Sequence, residues 1–174
     1  MTRAVTVLAA GPLTTVQDAG RPGQGALGIG RSGACDRASY RLANRLVGNP
    51  DGTAVLEVTF GGLELRAEGH VLVVTTGARC RGPWPHNAPT TLHAGKVLRL
   101  GPPVSGLRTY IAVRGGLAVE PVLGSRSTDV LAGIGPAALT AGDVLRVGPP
   151  VGALPDVEVA PVAEPAAGDV TVRV

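Results

Sequence analysis

The chain has 174 residues, of which 44% are hydrophobic and 17% charged, a composition that excludes a disordered protein and suits one globular domain with or without a short tail. Its net charge of +3 comes from scattered basic residues with few aromatics beside them, which disfavours nucleic-acid binding, since that needs a clustered patch and stacking rings. Apolar runs are strand-sized and no signal-peptide pattern is present, so we predict a cytoplasmic protein without a transmembrane helix.

A glycine-rich stretch and one helix follow the first predicted strand. Residues 3–9 alternate as a strand does, and the turn formers of 20–23 stop the strand region. The helix is predicted at about 36–47. Asp36 suits its N-cap, because a carboxylate there accepts the orphan backbone N–H groups of the first turn, and Gly48 suits its C-terminal cap.

The rest of the chain is predicted to consist of short strands and turns. We expect a hairpin between 55–59 and 63–67, around Gly61 and Gly62. Further strands are expected at 70–76, 97–100, 109–113 and 139–147. Many short strands with closely spaced turn signals favour a barrel or a sandwich. The predicted fold class is therefore mainly β with one short α-helix.

The composition changes near the C-terminal end of the chain. Residues 1–148 form the predicted domain, and 149–168 are rich in Pro, Ala, Val and Glu, as linkers are. Residues 169–174 then begin a strand pattern at the end of the sequence. We expect this segment to be the start of a second, missing barrel half.

Polar residues around the glycine-rich stretch are the first site candidates. Gln17 and Asp18 can hydrogen-bond an amide substrate, or they can tie the following turn to neighbouring backbone. Arg21 can pair with a carboxylate or phosphate through its fork of donors, or it can form a surface salt bridge. Ser32 and Asp36 lie at a helix N-terminus, which favours an anion, although capping alone also explains Asp36.

Two other positions and one loop also call for an explanation. Asn44 lies within the predicted helix and Glu57 lies among apolar residues, so both need hydrogen-bonding partners, most simply within the fold. The loop 125–128 combines three hydroxyl side chains with one arginine. It is either a grip for an anion or carbonyl group or a structural turn.

Several chemistries are disfavoured by the sequence. His70, His86 and His93 lack the H-x-x-H spacing and a nearby acid cluster, so no metal site is predicted. Cys35 and Cys80 have no metal-ligand spacing and are predicted to be free, buried thiols. Neither a G-x-S-x-G elbow nor a P-loop is present in the sequence.

Three extended motifs carry a resemblance to a known family. They are TVQDAGRPG, SGACDRASYRLANRLVGNPDGTAVLE and GSRST, in that order within residues 13–148. The chain resembles the allophanate hydrolase subunit 2 family, also called the C subunit of 5-oxoprolinase, KipA-like protein, and the carboxyltransferase domain, subdomain C and D, of urea amidolyase. The resemblance covers the family's first half only, and it implies a cyclophilin-like β-barrel.

The resemblance implies a subunit of a multi-protein enzyme. In one group of relatives it works with an allophanate hydrolase subunit 1 protein (the B-type subunit of 5-oxoprolinase) and with an A-type subunit to convert 5-oxo-L-proline to L-glutamate with ATP. In another group the same fold moves a carboxyl group from carboxybiotin to urea. A third alternative is a non-catalytic module that binds a sensor kinase. The first is the predicted function.

That function assigns expected roles to the candidate residues. The isolated domain is expected to be inactive and to bind no cofactor, with ATP used by the complex and biotin involved only in the carboxyltransferase alternative. No nucleic acid and no membrane are expected as partners. The predicted catalytic residues are Asp18, Arg126 and Ser127, and the predicted substrate-binding residues are Gln17, Arg21, Ser32, Asp36, Ser125 and Thr128.

Overall fold

The computed structural model describes residues 3–163 and 171. In this part of the chain nine strands and one α-helix are present, which confirms the mainly β prediction. The strands are β1 (Ala4–Ala10), β2 (Leu13–Gln17), β3 (Val55–Thr59), β4 (Leu63–Ala67), β5 (Val71–Gly77), β6 (Thr90–Leu92), β7 (Val97–Arg99), β8 (Arg108–Val113) and β9 (Val144–Arg146). The helix is α1 (Arg37–Leu46), and a 3-10 turn lies at Gly25–Leu27.

The strands form two antiparallel sheets. One has the order β7-β4-β1-β9, and the other has the order β2-β3-β8-β5-β6. Among the described residues no strand pairing joins the edges of one sheet to those of the other, so the predicted barrel is not closed. Three of the four edge strands, β6, β7 and β9, have only three residues each and offer few ladder hydrogen bonds.

The predicted hairpin between β3 and β4 is wrong, because these strands belong to different sheets. Phe60, Gly61 and Gly62 all have positive φ, between 60° and 76°, and turn the chain from one sheet into the other. The turn is tightly packed. A Cβ on Gly61 would lie 2.0 Å from the carbonyl oxygen of Gly101, and one on Gly11 would lie 2.2 Å from that of Gly61.

The start of the chain holds two strands where the sequence predicts one. β1 runs slightly beyond the predicted 3–9, and Gly11 then turns the chain at φ 65° into β2, which pairs with β3 in the other sheet. β2 is hard to predict because it is polar. Thr14, Thr15 and Gln17 are nonetheless buried, since pairing satisfies their backbone and their side chains find local partners.

The helix begins where the sequence predicts it. Asp36 is its N-cap, and its Oδ1 accepts a hydrogen bond of 3.0 Å from the backbone N–H of Ser39. Gly48 follows the helix with φ 64°, as a C-terminal glycine does. The inner face of α1 packs Tyr40 and Ala43 against β5 and β8, while the other apolar core fills the space between the two sheets.

The segment 149–163 contains neither a helix nor a strand. Two hydrogen bonds join it to the rest of the described chain, one from Arg114 Nη2 to the Gly152 carbonyl (2.8 Å) and one from the Ala160 N–H to the Asn87 carbonyl (2.8 Å). The predicted linker and second barrel half remain predictions, and most of 164–174 lies outside the described residues. The helix found in the described part of the chain is too short to cross a membrane.

Candidate functional site

Asp18 is the centre of a buried network. It lies directly after β2, where its Oδ1 accepts hydrogen bonds from Ser125 Oγ (2.6 Å), Ser127 Oγ (2.6 Å) and the Gly20 N–H (2.7 Å). Its Oδ2 accepts one from the Arg126 N–H (2.6 Å). One carboxylate therefore holds the loop 125–128 against the end of β2, more than a hundred residues away in sequence.

The charge of Asp18 is stabilised by these donors. Burial by itself raises the pKa of this carboxyl, but the hydrogen bonds from Ser125, Ser127, Arg126 and Gly20 outweigh it and hold the pKa below its ordinary value. Ser125 and Ser127 are fully buried. A carboxylate that already accepts four hydrogen bonds is a structural anchor more than a proton acceptor.

Gln17 and Thr128 bind the same loop to β2. The Nε2 of Gln17 donates to the Thr128 carbonyl (3.0 Å) and to Thr15 Oγ1 (3.1 Å), and the Thr128 N–H donates to the Val16 carbonyl (2.9 Å). In the described structure the buried Gln17 Oε1 and Thr128 Oγ1 have no hydrogen-bond partner.

Arg21 and Ser32 extend the network to a second loop. Arg21 is 1% exposed, and it donates from Nη1 to Ser32 Oγ (2.7 Å) and from Nη2 to the Ser127 carbonyl (2.5 Å). Ser32 donates in turn to Asp129 Oδ2 (2.7 Å). The Ala132 N–H, this hydroxyl and the Leu131 N–H together lower the pKa of Asp129.

The structure thus brings together all the predicted site residues except one. Those that meet are Gln17, Asp18, Arg21, Ser32, Ser125, Arg126, Ser127 and Thr128. The half-buried Arg126 side chain donates from Nε to the Val119 carbonyl. Their hydrogen bonds are directed mainly at one another, which suits the positioning of two loops. Their catalytic and substrate-binding roles remain predictions.

Asp36 belongs to a different cluster, which surrounds Glu57. Glu57 accepts from Arg108 Nη1 (2.7 Å), from the Tyr110 hydroxyl (2.8 Å) and from the Cys35 N–H (2.9 Å), and the Asp36 N–H donates to the Tyr110 oxygen (2.7 Å). Burial and the neighbouring carboxylate raise the pKa of Tyr110, so its hydroxyl stays protonated and can donate. The predicted internal partners of Glu57 are therefore confirmed.

Asn44, the other position expected to need a partner, also has one. Its Nδ2 donates to the Thr53 carbonyl (2.9 Å), and its Oδ1 accepts from Asn49 Nδ2 (3.0 Å). Asn49 donates to the Val113 carbonyl as well (2.9 Å) and accepts from the Gly115 N–H (2.8 Å). These two amides join the end of α1 to the turn after β8.

An open cavity of about 410 Å³ lies beside the Glu57 cluster. Its polar lining comes from Cys35, Asp36, Ser39, Asn87 and Arg108. Asn87 and Arg108 lie fifty or more residues from Asp36 along the chain, and no local sequence pattern marks either one as a site residue.

The two cysteines differ in exposure. Both Cys35 and Cys80 are free, as predicted, but the prediction that both are buried is wrong because Cys35 is exposed. Its backbone N–H is bound to Glu57, so the chain is fixed there while the thiol lies at the surface. Cys80 is half-buried, and burial raises the pKa of its thiol.

Two histidines meet that are distant in sequence. The Nδ1 atoms of His70 and His93 lie 3.1 Å apart at the exposed ends of neighbouring strands. Within the described residues no group of three histidine, cysteine or acidic side chains is arranged to hold a metal ion.

A family model matches most of the chain. Residues 27–174 match the model described as "Carboxyltransferase domain, subdomain A and B". The chain therefore belongs to the carboxyltransferase domain family. The resemblance noted from the sequence named subdomain C and D, and the matched model changes these letters to A and B.

Individual relatives fall into two groups. The chain is 43% identical over 134 residues to the C subunit of 5-oxoprolinase from Escherichia coli, an alignment that covers 74% of this chain and 43% of the relative. It is 38% identical over 138 residues to urea amidolyase of Lachancea kluyveri, which covers 76% of this chain and 8% of the relative. The chain thus spans less than half the length of these curated relatives.

Solved structures support the same assignment. The crystal structure of TTHA0988 superimposes with a TM-score of 0.83 at 37% identity, covering 92% of this chain and 62% of that one. The urea amidolyase of K. lactis superimposes with a TM-score of 0.80 at 35% identity, covering 95% of this chain and 11% of that one.

Proposed function

We propose that the chain acts as part of a C-type subunit of 5-oxoprolinase in the ATP-dependent conversion of 5-oxo-L-proline to L-glutamate. The observation that carries this proposal is its 43% identity to the Escherichia coli protein over 134 residues. The identity to the urea amidolyase of Lachancea kluyveri is lower, at 38%. A second C subunit of 5-oxoprolinase, from Haemophilus influenzae, is 32% identical over 130 residues.

The proposed partners are an allophanate hydrolase subunit 1 protein (the B-type subunit of 5-oxoprolinase) and an A-type subunit of the same enzyme, in a cytoplasmic complex. ATP is assigned to one of these partners, because the sequence contains no P-loop. The buried network around Asp18 then supports the loops 20–36 and 125–132 from within. The open cavity beside Glu57 is a separate, solvent-facing feature of the same domain.

The test is glutamate formation from 5-oxo-L-proline by the chain reconstituted with both partner types, with and without ATP and avidin. ATP-dependent glutamate that is insensitive to avidin is the expected result. If the assembled complex forms no glutamate under any of these conditions, the proposal is wrong.

Arg126→Ala separates a direct role of the Arg126 side chain from support of the loop. The Arg126 N–H still binds Asp18 in this variant, so the network keeps its backbone donor. If Arg126 is catalytic, turnover falls by orders of magnitude while the complex remains assembled. Arg99→Ala is the matched control, because Arg99 is exposed and, among the described residues, its ion pair is with Glu64 at the edge of the other sheet. Wild-type turnover of Arg126→Ala would remove Arg126 from the catalytic set.

The second candidate function is biotin-dependent carboxyl transfer to urea. The observation that favours it is the likeness to urea amidolyases, at 36–38% identity in two yeasts and with a TM-score of 0.80 in a third. Avidin-sensitive carboxylation of urea, without glutamate formation from 5-oxoproline, would place the chain in this group.

A further inference from the structure

The cavity beside Glu57 has the size and lining of a small-molecule site. Its volume of about 410 Å³ falls within the usual range for ligand pockets. It lies between the start of α1, the end of β5, the start of β8 and the C-terminal residues Val162 and Ala163, and it takes no side chain from the Asp18 network. Any ligand it holds is thus recognised by groups other than those selected from the sequence motifs, with Asp36 as the exception.

Asn87 is the first of two groups in the cavity wall with unused hydrogen-bonding capacity. Its backbone is fixed on both sides, since its N–H donates to the Thr75 carbonyl (2.8 Å) and its carbonyl accepts from the Ala160 N–H (2.8 Å). Its side chain is 8% exposed and makes no hydrogen bond with any described residue, and its Oδ1 is buried without a partner. Of the three buried side chains with an unpaired atom in the described structure, Asn87 is the one that lines this cavity, which points to a ligand.

Arg108 is the second such group. Its Nη1 donates to Glu57 Oε1 (2.7 Å) and Thr59 Oγ1 (3.1 Å), which fixes the guanidinium. Its Nε and Nη2 make no hydrogen bond within the described part of the chain. A fixed guanidinium with unused N–H groups matches the geometry of a carboxylate.

Glu57 connects two sides of the cavity, the start of β8 and the residues just before α1. It holds Arg108 through Oε1 on one side and the Cys35 N–H through Oε2 on the other. The distance between the guanidinium and the start of α1 is therefore set before any ligand arrives. Such preorganisation lowers the entropic cost of binding.

We propose that this cavity binds a small amide that carries a carboxylate. The carboxylate accepts from the unused N–H groups of Arg108. The amide carbonyl of the ligand accepts from Asn87 Nδ2, since Asn87 Oδ1 is buried. This inference rests on the proposed function, because 5-oxo-L-proline is a cyclic amide with one carboxylate.

Cys35 provides a reporter of binding that does not depend on turnover. Its exposed thiol lines the cavity, so a bound ligand shields it from an alkylating reagent. Cys80 is the internal reference, because it lies outside this cavity and its burial raises the thiol pKa. The alkylation of each cysteine is measured in the intact chain by peptide mass spectrometry.

Four probes define the ligand class: 5-oxo-L-proline, N-carbamoylglycine, 2-pyrrolidinone and inorganic phosphate. The two amide acids are expected to slow alkylation of Cys35 in a saturable manner and to leave Cys80 unchanged. Pyrrolidinone, which lacks the carboxylate, and phosphate, which lacks the amide, are expected to give no protection. Protection by phosphate at the same concentrations, or no protection by either amide acid, overturns the inference.

Two variants test the assigned donors. Asn87→Gly removes the amide and suits the backbone, since φ is 56° at this position. Arg108→Lys keeps a positive charge beside Glu57 but loses the planar set of guanidinium N–H donors. Each variant is expected to raise the concentration of 5-oxo-L-proline needed for half-maximal protection of Cys35 by about tenfold or more, as loss of a hydrogen bond to a charged or buried group does. Arg99→Lys is the matched control. In this variant the amide acids should protect Cys35 at the same concentrations as in the wild type.

The results separate this inference from the proposed function. If the reconstituted complex makes glutamate from 5-oxoproline but Cys35 is never protected, the cavity assignment fails and the proposed function stands. If the amide acids protect Cys35 but the complex makes no glutamate, the cavity assignment stands and the proposed function fails.

Discussion

The Asp18 network and the cavity beside Glu57 both contain polar side chains of the same domain. They differ in how many hydrogen-bonding groups of their main side chains lack a partner. In the first, the carboxylate accepts four hydrogen bonds and the guanidinium of Arg21 is buried with partners on both Nη atoms. In the second, Arg108 and Asn87 keep groups that bind nothing in the described chain. A network whose charged groups are paired stabilises a fold, although Gln17 Oε1 and Thr128 Oγ1 in it lack partners in the described structure, whereas unused donors beside an open cavity serve recognition.

The largest effect expected from this contrast is at Asp18. Asp18→Asn should lower the free energy of unfolding by about 3 kcal/mol at pH 7, because the Arg126 N–H and two buried hydroxyls lose a charged acceptor. Urea titration followed by the fluorescence of the single tryptophan, Trp84, measures the change. Asp156→Asn is the control, since Asp156 is exposed.

The Asp18 effect also has a defined pH dependence. The folded-state pKa of this carboxyl is lowered, so its stabilising contribution is complete above the unfolded pKa, about 3.9. It is lost as the pH falls through the lower, folded-state pKa. The difference in stability between wild type and Asp18→Asn should therefore shrink below about pH 4. A difference that is constant from pH 7 to pH 3 would contradict this assignment.

A smaller loss of stability is expected when Glu57, which holds the two sides of the cavity, is changed. Glu57→Gln should lower the free energy of unfolding by about 2 kcal/mol, because Arg108 then lacks its charged partner in a largely buried site. Urea unfolding measures it, with Glu64→Gln as control. Glu64 pairs with Arg99 at the surface, so its loss should cost no more than about 0.5 kcal/mol. Equal effects at the two positions would mean that the Glu57 cluster is not structural.

The link between the two loops of the Asp18 network should contribute less. Ser32→Ala removes the hydroxyl between Arg21 and Asp129 and is expected to cost about 1 kcal/mol in thermal or urea unfolding. Asp129 keeps its bonds from the Leu131 and Ala132 N–H groups, which limits the loss. Ser105→Ala, at an exposed serine, should change stability by a few tenths of a kcal/mol only.

The smallest effect on stability is expected at Asn87. Asn87→Gly should change the free energy of unfolding by less than about 1 kcal/mol, since no side-chain hydrogen bond is lost. Asn49 is a matched amide with the same 8% exposure but with three hydrogen bonds. Asn49→Ala should cost about 2 kcal/mol or more. If Asn87→Gly destabilises as strongly as Asn49→Ala, Asn87 is a structural residue and its assignment to ligand binding is weakened.

Local features of the molecule could be predicted from the sequence. Asp36 as N-cap depends only on the residues that follow it, and the need of Glu57 and Asn44 for partners depends only on their apolar or helical neighbours. The glycine-rich stretch and the loop 125–128 were expected to line one pocket on the basis of the family resemblance, but no local pattern indicated which of their side chains bind one another.

Features that depend on distant contacts could not be predicted. The pairing of β4 with β1 instead of β3 follows from positive φ at three successive residues and from contacts with Gly11 and Gly101. Cys35 is exposed, and its backbone is held by Glu57, which lies 22 residues away in the chain. Asn87 and Arg108 line one cavity only because β5 and β8 are neighbours in the sheet.

The contact between the β1–β2 crossover and the β3–β4 crossover has a consequence for how the domain opens. Gly11 of the β1–β2 crossover lies against Gly61 of the β3–β4 crossover, and the Gly62 N–H is bound to the carbonyl of Leu100 in the β7–β8 crossover (2.8 Å), so these three passages between the sheets are packed together. Neither sheet can separate from the other without breaking this contact. The two sheets should therefore form a single cooperative unit in native-state hydrogen exchange. The amides of β1 and β3 should then exchange with the same free energy of opening, although they belong to different sheets.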